Sequence, residues 1–231
     1  MIVAPRFVFL HLHKSGGTFA NECIRRFVPG ARAIGYHLPR RMLPPAHAAK
    51  PVLGLVRNPW SYYVSWYAFQ AARGQPNALF RHLSDDRRLG FEETIRNMLE
   101  LGSASAILAP LLASLPRSYG SGGLNLPGFA LAPIAGSGLG FYSYLYRYLY
   151  DGDGPPAWIA TMERMRQDLL SLLEQAGEMP SPAMRAFVAE EAPRNASGHA
   201  PHQSYYSPAL RDLVAERDAP VIRAHGYGFD D

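Results

Sequence analysis

Apolar residues recur along this chain in two rhythms, and their alternation is the first guide to its fold. Residues 6 to 12, RFVFLHL, form a short β-rich run that leads directly into HKSGGTF, after which apolar positions return at helical spacing from Thr18 to Phe27. A weaker strand pattern covers Ala31 to Tyr36. The run VLGLV, Val52 to Val56, is continuously apolar, as in a sheet covered on both faces. Asn58 and Pro59 then mark a helix start, because Asn caps well and Pro suits the first turn; that helix is expected to reach about Ala72.

Beyond it the pattern predicts helices and loops from Arg73 to Ser118 and no clear period across residues 119–140. GFYSYLYRYLY, Gly140 to Tyr150, reads as a helix with one aromatic face, which core packing explains more simply than a ligand wall. A late strand at Trp158 to Met162, an amphipathic helix at Glu163 to Gln175 and a last helix at about Pro208 to His225 follow. Strands separated by helices predict an α/β protein with a central parallel sheet flanked by helices. With no internal repeat or linker in view, residues 1–231 are expected to form a single domain.

With 48% hydrophobic and 18% charged residues the chain has the composition of a folded protein. Its formal charge of +4 is mild and its arginines are scattered, so an anionic small ligand is favoured over nucleic acid. Of 23 basic residues only two, Lys14 and Lys50, are lysines. The single cysteine, Cys23, excludes an internal disulfide and any multi-cysteine metal site, and is read as a small core residue. No run is long and apolar enough to span a membrane and no secretory segment is recognisable, so a cytoplasmic location is expected.

Two segments could carry chemistry. In HKSGGTF, His13 to Phe19, a strand-to-helix turn directs backbone N–H groups outward at the positive end of a helix, and glycines allow an anion close. Lys14 adds a compact charge there in a chain that otherwise uses arginine, and Ser15 and Thr18 add hydroxyls. The order is not that of a nucleoside-triphosphate loop, because the lysine precedes the glycines. In RNPWSYYVSWY, Arg57 closes a strand and Ser65 lies about two helical turns past Asn58, on the same helical face. His11 and His13 alternate on the predicted strand, which is at most half of a zinc site; no metal is expected.

Together these segments resemble the sulfotransferases that use 3′-phosphoadenosine 5′-phosphosulfate (PAPS). HKSGGTF is similar to their 5′-phosphosulfate loop, and Arg57, Pro59, Ser65 and Tyr67 match the 3′-phosphate pattern R-x-P-x-x-x-x-x-S-x-[FYW]. The segment Tyr36 to Pro59 resembles the stretch that carries a catalytic histidine in a T-H-L-P setting, and His37 matches that histidine. Ile159 to Leu169 and Asn195 to Phe229 resemble compact bacterial members, whereas residues 73–140 do not. The lysine that often stands two residues before the histidine is Gly35 here.

The resemblance implies a three-layer, P-loop-NTPase-like fold. It also implies that Lys14, Ser15, Gly16, Gly17 and Thr18 hold the 5′-phosphosulfate, that Phe19 packs on the adenine, that Arg57 and Ser65 hold the 3′-phosphate, and that Ser197, Gly198 and His199 close over it. His37 would act as general base toward a hydroxyl of a small-molecule or carbohydrate acceptor, and Lys14 would stabilise the leaving phosphate without a metal. Residues 73–150 are expected to supply the acceptor site and lid, with a partly hydrophobic ligand. The alternative is a phosphate- or nucleotide-binding module of the same fold without transferase activity.

Overall fold

The computed structural model of the chain describes residues 1–103, 105–192 and 198–231. Five strands form one sheet: β1 (Ile2–Val3), β2 (Val8–Leu10), β3 (Arg32–Ala33), β4 (Val52–Val56) and β5 (Trp158–Thr161). Helices α1 (Gly17–Phe27), α2 (Pro59–Ala71), α3 (Ala78–Leu83), α4 (Phe91–Leu99) and α5 (Leu108–Ser114) occupy the first half of the chain. After them come α6 (Gly128–Leu131), α7 (Phe141–Tyr150), α8 (Met165–Gln175), α9 (Pro182–Glu190), α10 (Pro208–Arg217) and α11 (Ala219–His225). The protein is α/β and about half helical; no helix among the described residues is long and apolar enough to cross a membrane.

The chain divides into two compact units, Met1–Arg57 with Tyr146–Ala196, and Asn58–Leu145 with Ser197–Asp231. The first holds the whole sheet, in the order β3-β1-β2-β4-β5. Strands β2, β4 and β5 are parallel, as the apolar runs predict, with Phe9 opposite Leu53 and Leu55 opposite Ala160. The sheet as a whole is mixed, which corrects the all-parallel expectation: β1 runs antiparallel to both β2 and β3. A tight return at Pro5-Arg6, closed by the Ala4 amide on the Phe7 carbonyl at 2.9 Å, lets β1 double back onto β2 without a crossover helix.

One face of this sheet is covered by α1, α8 and α9. Phe9, Leu53 and Leu55 alternate toward that face, where Phe19, Cys23 and Ile24 of α1, Leu169 and Leu173 of α8 and Phe187 of α9 meet them. Each side chain of this size contributes about 1.5–3 kcal/mol when fully buried. Cys23 is a core residue, as its position predicts. Gly54 of β4 faces Tyr150, whose ring would overlap any Cβ at that position. The Tyr150 hydroxyl donates to the Leu55 carbonyl at 2.9 Å and accepts from the Leu55 amide at 3.1 Å. It thereby satisfies β4 at the level where β2 has already ended.

The second unit is built on α2. Asn58 caps it as predicted, its side-chain oxygen accepting from the Trp60 amide at 3.0 Å, and Pro59 opens the first turn. Tyr62, Tyr63 and Trp66 are fully buried, and the Tyr62 ring stacks on Tyr142 of α7 at 4.0 Å. The expected single helix over 208–225 is broken at Asp218. Pro220 has no N–H for the carbonyl four residues back, and the Asp218 carboxylate is engaged elsewhere. It accepts from the Tyr63 hydroxyl at 2.6 Å and from the Ser143 amide at 2.7 Å, so a residue between α10 and α11 caps the start of α7.

Candidate functional site

Strand β2 stops at Leu10, so residues 11–16 form a loop before α1 rather than a continued strand. Lys14 and Gly16 in that loop have left-handed backbone, at φ 53° and 75°. Alternation of hand along a short loop turns successive N–H groups toward one side, the geometry of a small anion nest. The amides of Phe19 and Ala20 take the Gly16 carbonyl, and the amides before them precede the first helical acceptor. Both glycines are required by packing. A Cβ on Gly16 would stand 2.6 Å from the Met165 sulfur, and one on Gly17 would overlap the His11 ring. The loop is therefore pinned on its inner side by His11 and by Met162 and Met165, with its backbone presented on the other.

Arg57, the residue after β4, reaches this loop. Its Nη1 donates to the Lys14 carbonyl at 3.2 Å. Parallel β2 and β4 end side by side, so the residues that follow them converge at the carboxyl edge of the sheet, where ligands of open α/β sheets bind. Two cations thus lie together. Burial, with the Arg57 guanidinium adding to it, pushes the Lys14 ammonium down to about 8, which leaves it mostly charged at neutral pH.

His37 joins the same neighbourhood. It also has left-handed backbone, φ 51°, an uncommon state for a non-glycine residue. Its Nδ1 lies 2.6 Å from the His11 carbonyl oxygen. A carbonyl only accepts, so Nδ1 carries the proton and the lone pair is on Nε2. The ring packs among His13 at 3.7 Å, Tyr36 at 4.0 Å and His11 at 4.4 Å between centroids. Burial first, then the His13 and His11 imidazoles, hold the His37 pKa well below its ordinary value, so the ring is neutral at pH 7. His11 is pushed down to about 3 by burial and then His13. Its Nδ1 accepts from the Asn21 amide at 3.0 Å. Among the described residues no group of three or more His, Cys, Asp or Glu is placed to hold a metal.

The remaining candidates sit as follows. Ser15 is fully buried and its hydroxyl donates to the His13 carbonyl at 3.0 Å. Thr18 is exposed at the start of α1. Phe19 is 2% exposed and belongs to the core, stacked on Phe187 at 5.3 Å with the Arg166 guanidinium over its ring, so no face of it is offered to a purine. Ser65 lies on α2 in the second unit and is buried. Ser197 lies outside the described residues. Gly198 is exposed, and His199 turns its Nδ1 to the Ala200 carbonyl at 2.8 Å.

Sequence reasoning passed over Tyr36, Asn21, Arg25 and Arg26. With Thr18 and Glu22 they line an open depression of about 500 Å³ along one side of α1. Their spacing on the helix, 18, 21/22 and 25/26, is the signal that could have found them, since positions three, four and seven apart share a face. The aromatic face of residues 140–150 packs inward, as the core reading of this helix predicts: Phe141, Tyr142, Tyr144, Tyr148 and Tyr150 are all buried. The chain matches no protein-family model, and comparison with curated proteins finds no match.

Proposed function

We propose that this protein is a PAPS-dependent sulfotransferase with a P-loop-NTPase-like, three-layer arrangement, transferring a sulfuryl group to an acceptor hydroxyl. The observation that supports it most directly is the contact between Arg57 and the Lys14 carbonyl. It joins at one sheet edge the two sequence segments that the resemblance assigns to the two phosphates. The left-handed loop backbone and the glycines held inward by His11 and Met165 suit an anion on the outer face of the loop. Phe19 has no part in this proposal.

When bound, PAPS supplies an activated sulfuryl group on its 5′-phosphate. Lys14 and the amides of Gly16, Gly17 and Thr18 would hold that phosphate, and Arg57 the 3′-phosphate. The acceptor oxygen forms a bond to sulfur as the bond from sulfur to the bridging phosphate oxygen breaks. The acceptor proton passes to His37 Nε2, and the charge left on the phosphate meets Lys14. Burial makes His37 a weak base in the resting protein. It also ensures that the ring is unprotonated at neutral pH, and negative charge growing beside it in the transition state raises its proton affinity. Backbone strain at Lys14 and His37 is in keeping with such a site, because left-handed non-glycine residues cost about 1–3 kcal/mol and persist where the surroundings hold them.

Calorimetric titration with 3′-phosphoadenosine 5′-phosphate (PAP), the product nucleotide, tests this. Binding is expected, and Lys14→Ala and Arg57→Ala are each expected to abolish most of it. Absence of binding, or binding that survives both substitutions, refutes the proposal. His37→Ala should leave PAP affinity intact and lower turnover about 10²–10⁴-fold; a fully active variant removes His37 as the base.

A further inference from the structure

Helix α1 has two unlike sides. Phe19, Ala20, Cys23 and Ile24 face the core, while Thr18, Asn21, Glu22, Arg25 and Arg26 face outward. A polar outer face is ordinary for a surface helix. Here Tyr36 rises beside it and turns the face into a depression of about 500 Å³, within the range of small-molecule sites. Two of its walls belong to the chemistry already described: Thr18 ends the glycine loop, and the Tyr36 ring lies against His37 at 4.0 Å between centroids.

The lining is polar and carries two arginines against one glutamate. Arg26 is held at the rim by packing over the Phe27 and Phe187 rings at 5.1 and 5.4 Å. Such stacking fixes a guanidinium while leaving its N–H edge to bond outward. Asn21 spends its amide on His11 and its Oδ1 is buried, so it shapes the wall and the charged groups beside it are the ones open to a ligand.

We infer that this depression receives the acceptor, and that the acceptor is an anionic polyol or sugar whose carboxylate meets Arg25 and Arg26 while its hydroxyls meet Glu22 and Thr18. The inference rests on the sulfotransferase reading for the word acceptor. It moves acceptor recognition from residues 73–150, whose aromatic side chains are largely spent on packing, to the outer face of α1. A guanidinium pair matches a carboxylate in both shape and charge, and a bound anion also neutralises the surplus positive charge of the lining.

The test uses an oligogalacturonate trimer and the neutral galactose trimer, titrated separately into the wild-type chain, Arg25→Gln and Arg25→Glu, with PAP titrated into the same three proteins. Arg25 is exposed, so both variants should fold. The acidic trimer is expected to bind at least about tenfold more tightly than the neutral one at low salt, with that margin reduced in Arg25→Gln and gone in Arg25→Glu. PAP affinity is expected to be equal in all three. Equal affinity for the two trimers, no binding of the acidic trimer, or an unchanged margin in Arg25→Glu overturns the inference. If PAP fails to bind while the acidic preference and its loss in Arg25→Glu persist, the transferase reading falls and the anion-selective depression stands.

Discussion

Asp218 offers the sharpest quantitative test of the structure. Its carboxylate is fully buried and accepts from the Tyr63 hydroxyl and the Ser143 amide, but burial outweighs both bonds and pushes its pKa up to about 6 from an ordinary 3.8. Between those two values the folded chain holds a proton that the unfolded chain has released. Stability contributed by this group is therefore present below about pH 4 and lost as pH rises through 6. At 1.36 kcal/mol for each pH unit between the two values, the loss is about 3 kcal/mol. His11 and His37 act in the opposite sense, since their lowered pKa values make the folded chain gain stability as pH rises toward 6.5. The wild-type profile alone thus mixes both effects. Asp218→Asn keeps the shape of the side chain and removes only its titration, so the difference between the two proteins isolates it. Urea denaturation followed by tryptophan fluorescence at pH 4, 5, 6 and 7 should show the Asp218→Asn variant gaining about 2 kcal/mol on the wild type from the lowest pH to the highest, the rest of the loss lying below pH 4. A difference that stays constant with pH, or that moves the other way, refutes a buried, proton-holding Asp218.

Two further outcomes follow from the glycine loop. Gly17→Ala should destabilise by about 1–3 kcal/mol despite alanine's better helix propensity, because its methyl meets the His11 ring, and His11→Ala should restore part of the loss; thermal melting of the three proteins checks this. Because Lys14 loses its proton near pH 8, PAP affinity should fall about tenfold from pH 7 to 9 in the wild type and stay level in Lys14→Arg; a flat wild-type profile contradicts the assignment.

Much of this architecture can be read from residue order. The parallel trio β2, β4 and β5, the turn into α1 and the Asn58-Pro59 start of α2 each have a local signal, either an unbroken apolar run or cap chemistry, that needs no tertiary partner. What escapes is decided at a distance. Strand β1 is two residues long, too short for any period, and exists because a turn folds it onto β2. The break at Asp218 depends on Tyr63 and Ser143, far away in sequence. Helix α9 carries a legible cap at Ser181 and Pro182, but its nine residues make too few turns for a clear apolar period. At the site, Lys14, Arg57 and His37 are legible as residue types in order, whereas the His11 carbonyl that orients His37 is a backbone group and leaves no mark in the sequence. Phe19 shows the limit of transfer by position, since a motif residue can be consumed by the core.

The Tyr150 hydroxyl reaches β4 across 95 positions of chain to bond Leu55, and its ring fills the space beside Gly54. Any side chain at 54 expels the ring, and loss of the ring leaves a polar stretch of β4 to be sealed by something else. Positions 54 and 150 should therefore change together in evolution or not at all. Among descendants of this chain a larger residue at 54 should arrive with a shorter one at 150, and such a pair would mark lineages in which the sheet face opposite α1 has been repacked.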